Sequence, residues 1–333
     1  MSATRAIVDP IRYGFAVGRV RVLETRMLPP STYERLLDAR DFAERRRILG
    51  ETIYGGYLER AHHTEGIERG LEAAIADLYA EFLGRANLPE PLVAYFRTRH
   101  DFENLKGRLK AEALGIEPGE LFTRLGATPV EVFSGPAEGL PPLLRAAERR
   151  IRAAIEVADG PLDVERVDEA VDAELYAALA DIVARAKSPF LATLFALEAD
   201  LGNARAFIRG RARNVPVARM EGRFVPGGRI PRARLVSLYR LPLAEAAARL
   251  AATGSLRGVD PEALTDLERF DVAADVHRAR LVRTSRLIAI GPEPVLGYVM
   301  ERLAEVTALR TLLIGALAGV PREVLRARLE DVM

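Results

Sequence analysis

Cysteine is absent from the chain, which excludes a disulfide framework, cysteine-based zinc sites and thiol chemistry. Tryptophan and glutamine are absent too, and asparagine stands only at Asn87, Asn104, Asn203 and Asn214. Lysine occurs only at Lys106, Lys110 and Lys187, so arginine supplies nearly all of the 48 basic residues. This bias suits either a heat-loving source or a GC-rich genome. A surplus of one charge is also missing. The formal net charge is +1, which argues against a general nucleic-acid binder, because phosphate neutralisation needs excess cations. Long apolar runs are lacking: Leu312 to Val320 falls far short of the ~20 residues needed to span a bilayer. Residues 1–20 interleave Arg5, Asp9, Pro10 and Arg12 with apolar side chains, so no secretory signal is expected.

Chemistry-bearing motifs are equally scarce. The four histidines are His62, His63, His100 and His277, and none has neighbours at zinc-ligand spacing. No Gly-x-Ser-x-Gly nucleophile elbow occurs. Gly227-Gly228-Arg229 lacks both the Walker spacing and the following Lys-Ser/Thr of a phosphate loop. No residue is therefore assigned a catalytic, cofactor-binding or metal-ligating role. The arginine cluster Arg45 to Arg47 reads as a solvated helix face. The cluster Arg209, Arg211 and Arg213 is a candidate partner contact, since arginine clamps carboxylates well.

What the chain has is helix. Alanine, leucine, arginine and glutamate fill residues 31–49, 66–84, 142–157, 164–187, 190–213, 242–251, 261–289, 293–317 and 321–331. Breakers gather at 115–119, 126–142, 216–231 and 291–294, which read as loops or joints. The expected fold class is all-α.

Three helices repeat one pattern. Asp101 precedes Asn104 and Lys106, Asp200 precedes Asn203 and Arg205, and Glu305 precedes Ala308 and Arg310. The acids are 99 and 105 residues apart, a spacing longer than that of ordinary solenoid repeats. Each helix carries an apolar stripe at steps of three and four. The stripes are Tyr95, Thr98, Phe102, Leu105, Leu109; then Leu194, Leu197, Leu201, Ala204, Ile208; then Val299, Arg302, Val306, Leu309, Leu313. Thr98 and Arg302 interrupt them. The spacing sets an acid on one flank and a base on the other, as if a buried seam were edged by opposite charges. A weaker echo links 31–49 with 232–250, with a shorter middle copy near 117–140. The expected domains are 1–114, 115–215 and 216–333, one repeat each.

The order of several short motifs carries a resemblance. The chain opens on Tyr13-Gly14-Phe15-Ala16-Val17-Gly18-Arg19-Val20-Arg21-Val22-Leu23-Glu24, then Tyr33-Glu34-Arg35-Leu36-Leu37 and Tyr54-Gly55. The acid, asparagine and base sets follow, with Asp168 to Tyr176 between them, and Gly319-Val320-Pro321 with Val324-Leu325-Arg326 closes the pattern. Over essentially its whole length the chain resembles the C-type subunit of the V/A-type ATP synthases of archaea and bacteria. Its counterpart in the eukaryotic vacuolar ATPase is the d-type subunit.

The resemblance implies three similar helical domains in a pseudo-threefold, funnel-like arrangement. It further implies a non-catalytic part of the central rotor that couples the central stalk to the membrane proteolipid ring and transmits torque for ion translocation. The implied partners are the central-stalk subunits and the proteolipid ring. The implied place is the cytoplasmic side of the membrane, held peripherally through protein contacts, with no cofactor, small-molecule substrate or nucleic acid. The competing readings are a generic helical protein-binding scaffold and an all-helical enzyme with a site between helices.

Overall fold

A computed structural model describes residues 10–118, 122–156 and 164–329. Residues 119, 157, 330 and 331 of the expected segments lie outside it, as do residues 119–121 of the middle echo. Every regular element among the described residues is helical, and no strand occurs there. The α-helices are α1 (Pro10–Glu24), α2 (Pro30–Asp38), α3 (Phe42–Gly50), α4 (Gly55–Leu58), α5 (Thr64–Tyr79) and α6 (Glu90–Leu114). Then come α7 (Val130–Phe133), α8 (Pro142–Glu156), α9 (Val164–Ala186), α10 (Pro189–Ala212) and α11 (Val217–Arg223). The last are α12 (Arg232–Tyr239), α13 (Leu243–Ala251), α14 (Leu267–Arg283), α15 (Glu293–Leu317) and α16 (Arg322–Ala327).

Local chemistry sets the helix ends. Ser188 Oγ accepts from Leu191 N at 3.2 Å and caps α10. His63 Nδ1 accepts from Gly66 N at 3.2 Å and opens α5, which gives this histidine an ordinary structural use. Gly115 closes α6 with φ +64°, a left-handed conformation suited to glycine. The expected single run over 31–49 is two helices, because Asp41 Oδ1 accepts from Glu44 N at 2.8 Å and starts α3 afresh. The expected run 261–289 is shorter as an α-helix. Asp266 Oδ1 accepts from Arg269 N, and 3₁₀ turns bracket α14. The expected loop 216–231 contains α11, which begins behind Pro216.

The chain divides into two compact units, residues 89–274 and residues 1–88 with 275–333. The continuous unit holds α6 and α10. There α6 and α8 pack on α9, around Phe102, Leu105, Leu109, Phe133, Leu144, Ile151, Val167 and Val171. In the two-segment unit, α15 packs against α1, α5 and α16, and buries Val299, Val306, Leu309 and Leu313. Two of those three neighbours come from the other end of the chain. Every position of the three expected stripes is buried, Thr98 and Arg302 included.

Candidate functional site

The three stripe helices α6, α10 and α15 carry the polar residues singled out by the sequence, and each places them in a working clamp. The acids do not edge the seam as expected. Asp101, Asp200 and Glu305 are 6%, 0% and 2% exposed, so they belong to the core. A carboxylate this deep must be hydrogen-bonded, and all three are bonded to backbone N–H groups.

Asp101 Oδ1 accepts from Thr128 N at 2.9 Å. Asp200 accepts from Arg229 N at 3.1 Å, Ile230 N at 3.0 Å and Ser255 N at 3.0 Å. Glu305 accepts from Leu28 N at 2.7 Å, from the Tyr54 hydroxyl at 2.7 Å and from Arg302 at 2.6 Å. In each case the clamped residue stands directly before a proline and a short helix: Thr128 before Pro129 and α7, Ile230 before Pro231 and α12, Leu28 before Pro29 and α2. The acid thus fixes the point where the chain enters the next helix.

The asparagines form a second, two-way clamp. Asn104 Nδ2 donates to Thr123 O at 2.9 Å while Thr123 N donates back to Oδ1 at 2.8 Å. Asn203 makes the same pair with Val225, at 3.0 and 2.8 Å. In both copies this residue lies five before the one held by the acid. The corresponding position before Leu28 is Leu23, which is inside α1, and its carbonyl already accepts from Arg26 N at 2.9 Å. A helical backbone leaves little for an amide side chain to satisfy, which explains why Ala308 stands in the third copy.

Glycine makes the closest approach possible. A Cβ added to Gly126 would lie 2.3 Å from Asp101 Oδ1, and one added to Gly228 would lie 2.1 Å from Asp200 Oδ1. The third copy has Arg26 at this position, and its acid is the longer glutamate. Arg302, read from sequence as a break in the stripe, is the counter-ion of Glu305 and lies 4.8 Å from the Tyr54 ring centroid. Burial raises the pKa of Glu305 above its usual value, against the opposing pull of Arg302, Tyr54 and the Leu28 N–H. Asp101 is raised likewise, by burial first.

The bases turn the other way. Lys106 donates to Asp172 at 2.7 Å, Arg205 to Asp271 at 2.7 Å and Arg310 to Glu68 at 2.8 Å. Their targets sit on α9, α14 and α5. These pairs are a quarter or more exposed and contribute roughly 0.5 kcal/mol each. The acid and base of one helix therefore act on different neighbours.

Other polar groups also hold structure. Arg211 donates to Tyr239 O at 2.8 Å, and Arg213 to Glu165 at 2.9 Å, so two members of the second arginine cluster are bound within the chain. Sequence reasoning missed one link: Tyr95 of α6 donates to Glu198 of α10 at 2.6 Å, and Arg99 pairs with the same carboxylate. Only the helical register of Tyr95 and Arg99 signalled it. Among the described residues, no group of three or more His, Cys, Asp or Glu side chains is placed to hold a metal ion. No helix there is long and apolar enough to cross a membrane.

The order of clamps, each followed by proline and a short helix, runs through most of the chain. The family model described as ATP synthase (C/AC39) subunit matches residues 16–328. The chain belongs to this family. Its place is within a V/A-type ATPase, as the C/d-type subunit, and the family is an accessory rather than a catalytic one. No individual curated protein matches the chain at a significant level.

Proposed function

We propose that this C/AC39 chain is a non-catalytic rotor part: a socket between the central stalk and the membrane proteolipid ring, on the cytoplasmic side, carrying torque from one to the other. The observation that supports this reading is the threefold recurrence of the buried clamp. Asp101, Asp200 and Glu305 are each spent on holding backbone in place. A torque-bearing body needs such fixed joints, whereas a catalytic carboxylate needs access to a substrate. In this reading the domains 1–114, 115–215 and 216–333 each contribute one stripe helix to a pseudo-threefold funnel that suits a symmetric ring.

The experiment is reconstitution. The purified chain is mixed with the proteolipid ring in detergent and, separately, with the central-stalk subunits. Stable complexes with both are expected, and coupling of ATP hydrolysis to ion movement should require the chain. Association with neither would overturn the reading. An ATP- or metal-dependent activity of the chain alone would favour an enzyme instead.

A further inference from the structure

We propose that the outward face of α1 is a docking stripe for an acidic amphipathic helix of a partner subunit. The inference rests on the reading above, since it gives the chemistry of one of the expected partners. Phe15 is 83% exposed and Val22 57%, although both sit in a helix whose opposite face is buried by Tyr13, Ala16, Val17 and Val20. At 100° per residue, Phe15 and Val22 run down the centre of the exposed face. Arg12 and Arg19 lie along one edge, and Gly14 and Gly18 along the other.

The two glycines are informative because no described residue requires them. Among the described residues, a Cβ added at either would meet no atom within 4 Å, and neither is in a positive-φ conformation. Glycine in a helix interior is less stable than alanine, so the helix carries a penalty that no contact among the described residues offsets. A second backbone lying close along that edge supplies the offset. Lipid headgroups would not, since they gain nothing from a missing Cβ.

Charge defines the partner. Arg12 donates to the Asn87 carbonyl, and Arg26 and Arg85 have no carboxylate partner among the described residues. The one acid beside Phe15, Glu81, is already paired with Arg19. Phe15, Ala16, Arg19, Phe82 and Arg85 line a groove at this edge, deep enough for a side chain. Within α1, Arg12 and Arg19 stand seven residues apart, as do Phe15 and Val22, and Arg26 follows in the turn just past the helix end. That is the repeat of one helix packed along another. The complementary helix carries apolar residues seven apart, flanked by Asp or Glu on the arginine side.

The test uses the full chain with purified central-stalk subunits and with the proteolipid ring, and measures affinity for each. Phe15→Asp should weaken one of the two complexes about 10-fold or more, as a central anchor does. The double reversal Arg26→Glu with Arg85→Glu should slow association about 10-fold at low salt, an effect that fades as salt rises. Gly18→Leu should raise the thermal midpoint of the isolated chain while weakening the same complex, a split that a purely structural glycine would not give. Affinities unchanged in all these variants, with wild type bound, overturn the docking stripe and leave the socket reading standing. Variants that lose only their binding to phosphatidylglycerol vesicles overturn it in favour of a lipid surface. Wild type that binds neither partner overturns the stripe and the socket together.

Discussion

The continuous unit and the two-segment unit solve one problem with different side chains. In residues 89–274 the clamps reach forward over short stretches: 19 and 22 residues for the asparagines, 27 for Asp101, and 30 and 55 for Asp200. In the other unit Glu305 reaches back 277 residues to Leu28 and 251 to Tyr54. The local clamps use aspartate, asparagine and glycine, a compact set directed at backbone. The long-range clamp uses glutamate, arginine and tyrosine, and adds contacts from side chain to side chain. The elements that follow α6 and α10 in sequence are supplied to α15 by the chain's own beginning. A repeat that closes across the termini keeps the backbone contact but loses its local helpers.

The largest expected effect comes from removing the most heavily used acid. Asp200→Ala leaves three N–H groups without this acceptor and should lower unfolding stability by about 4 kcal/mol in urea titration. Asp101→Ala should fall below it; equal losses would show that the two local clamps are interchangeable. Next, Asn203→Ala removes a two-way clamp on Val225 and should lower stability by about 3 kcal/mol.

The reciprocal change separates the units. Ala308→Asn places an amide at a 6% exposed position, and should destabilise by roughly 1.5 kcal/mol. A gain in stability there would refute the explanation given for the missing asparagine. The smallest effect is a pH slope. Glu305 has a raised pKa in the folded chain, so its protonated form is favoured by folding. Wild type should therefore lose stability relative to Glu305→Gln as pH rises from the ordinary carboxylate value of 4.5 through the raised one. Parallel pH profiles would place the carboxylate in a more solvated setting.

Much of this was legible from residue order. The stripe helices, their buried faces and the echo between 31–49 and 232–250 follow from periodicity and composition, which are local properties. The recurrence of Asp, Asn and base marked the clamps before their targets were known. The targets were not legible, because a hydrogen bond to Asp200 from Ile230 or to Glu305 from Leu28 depends on how loops return. For the same reason the acids read as seam edges: a carboxylate is placed outside by its charge until its backbone donors are known. Arg302 read as an interruption because its partner, Glu305, was counted separately. Helix α11 escaped notice because its seven residues leave no periodicity to detect.

The backward reach of Glu305 has a consequence for synthesis on the ribosome. Chains emerge at roughly 5–20 residues per second, so Leu28 and Tyr54 leave the ribosome roughly 12–55 s before Glu305 does. During that interval the partners of both clamps in residues 89–274 emerge in order, while α1 and α5 still lack the α15 against which they pack. Of the two units, the one that begins to emerge first is thus the last to be completed, since the apolar faces of α1 and α5 are covered only once α15 has been made.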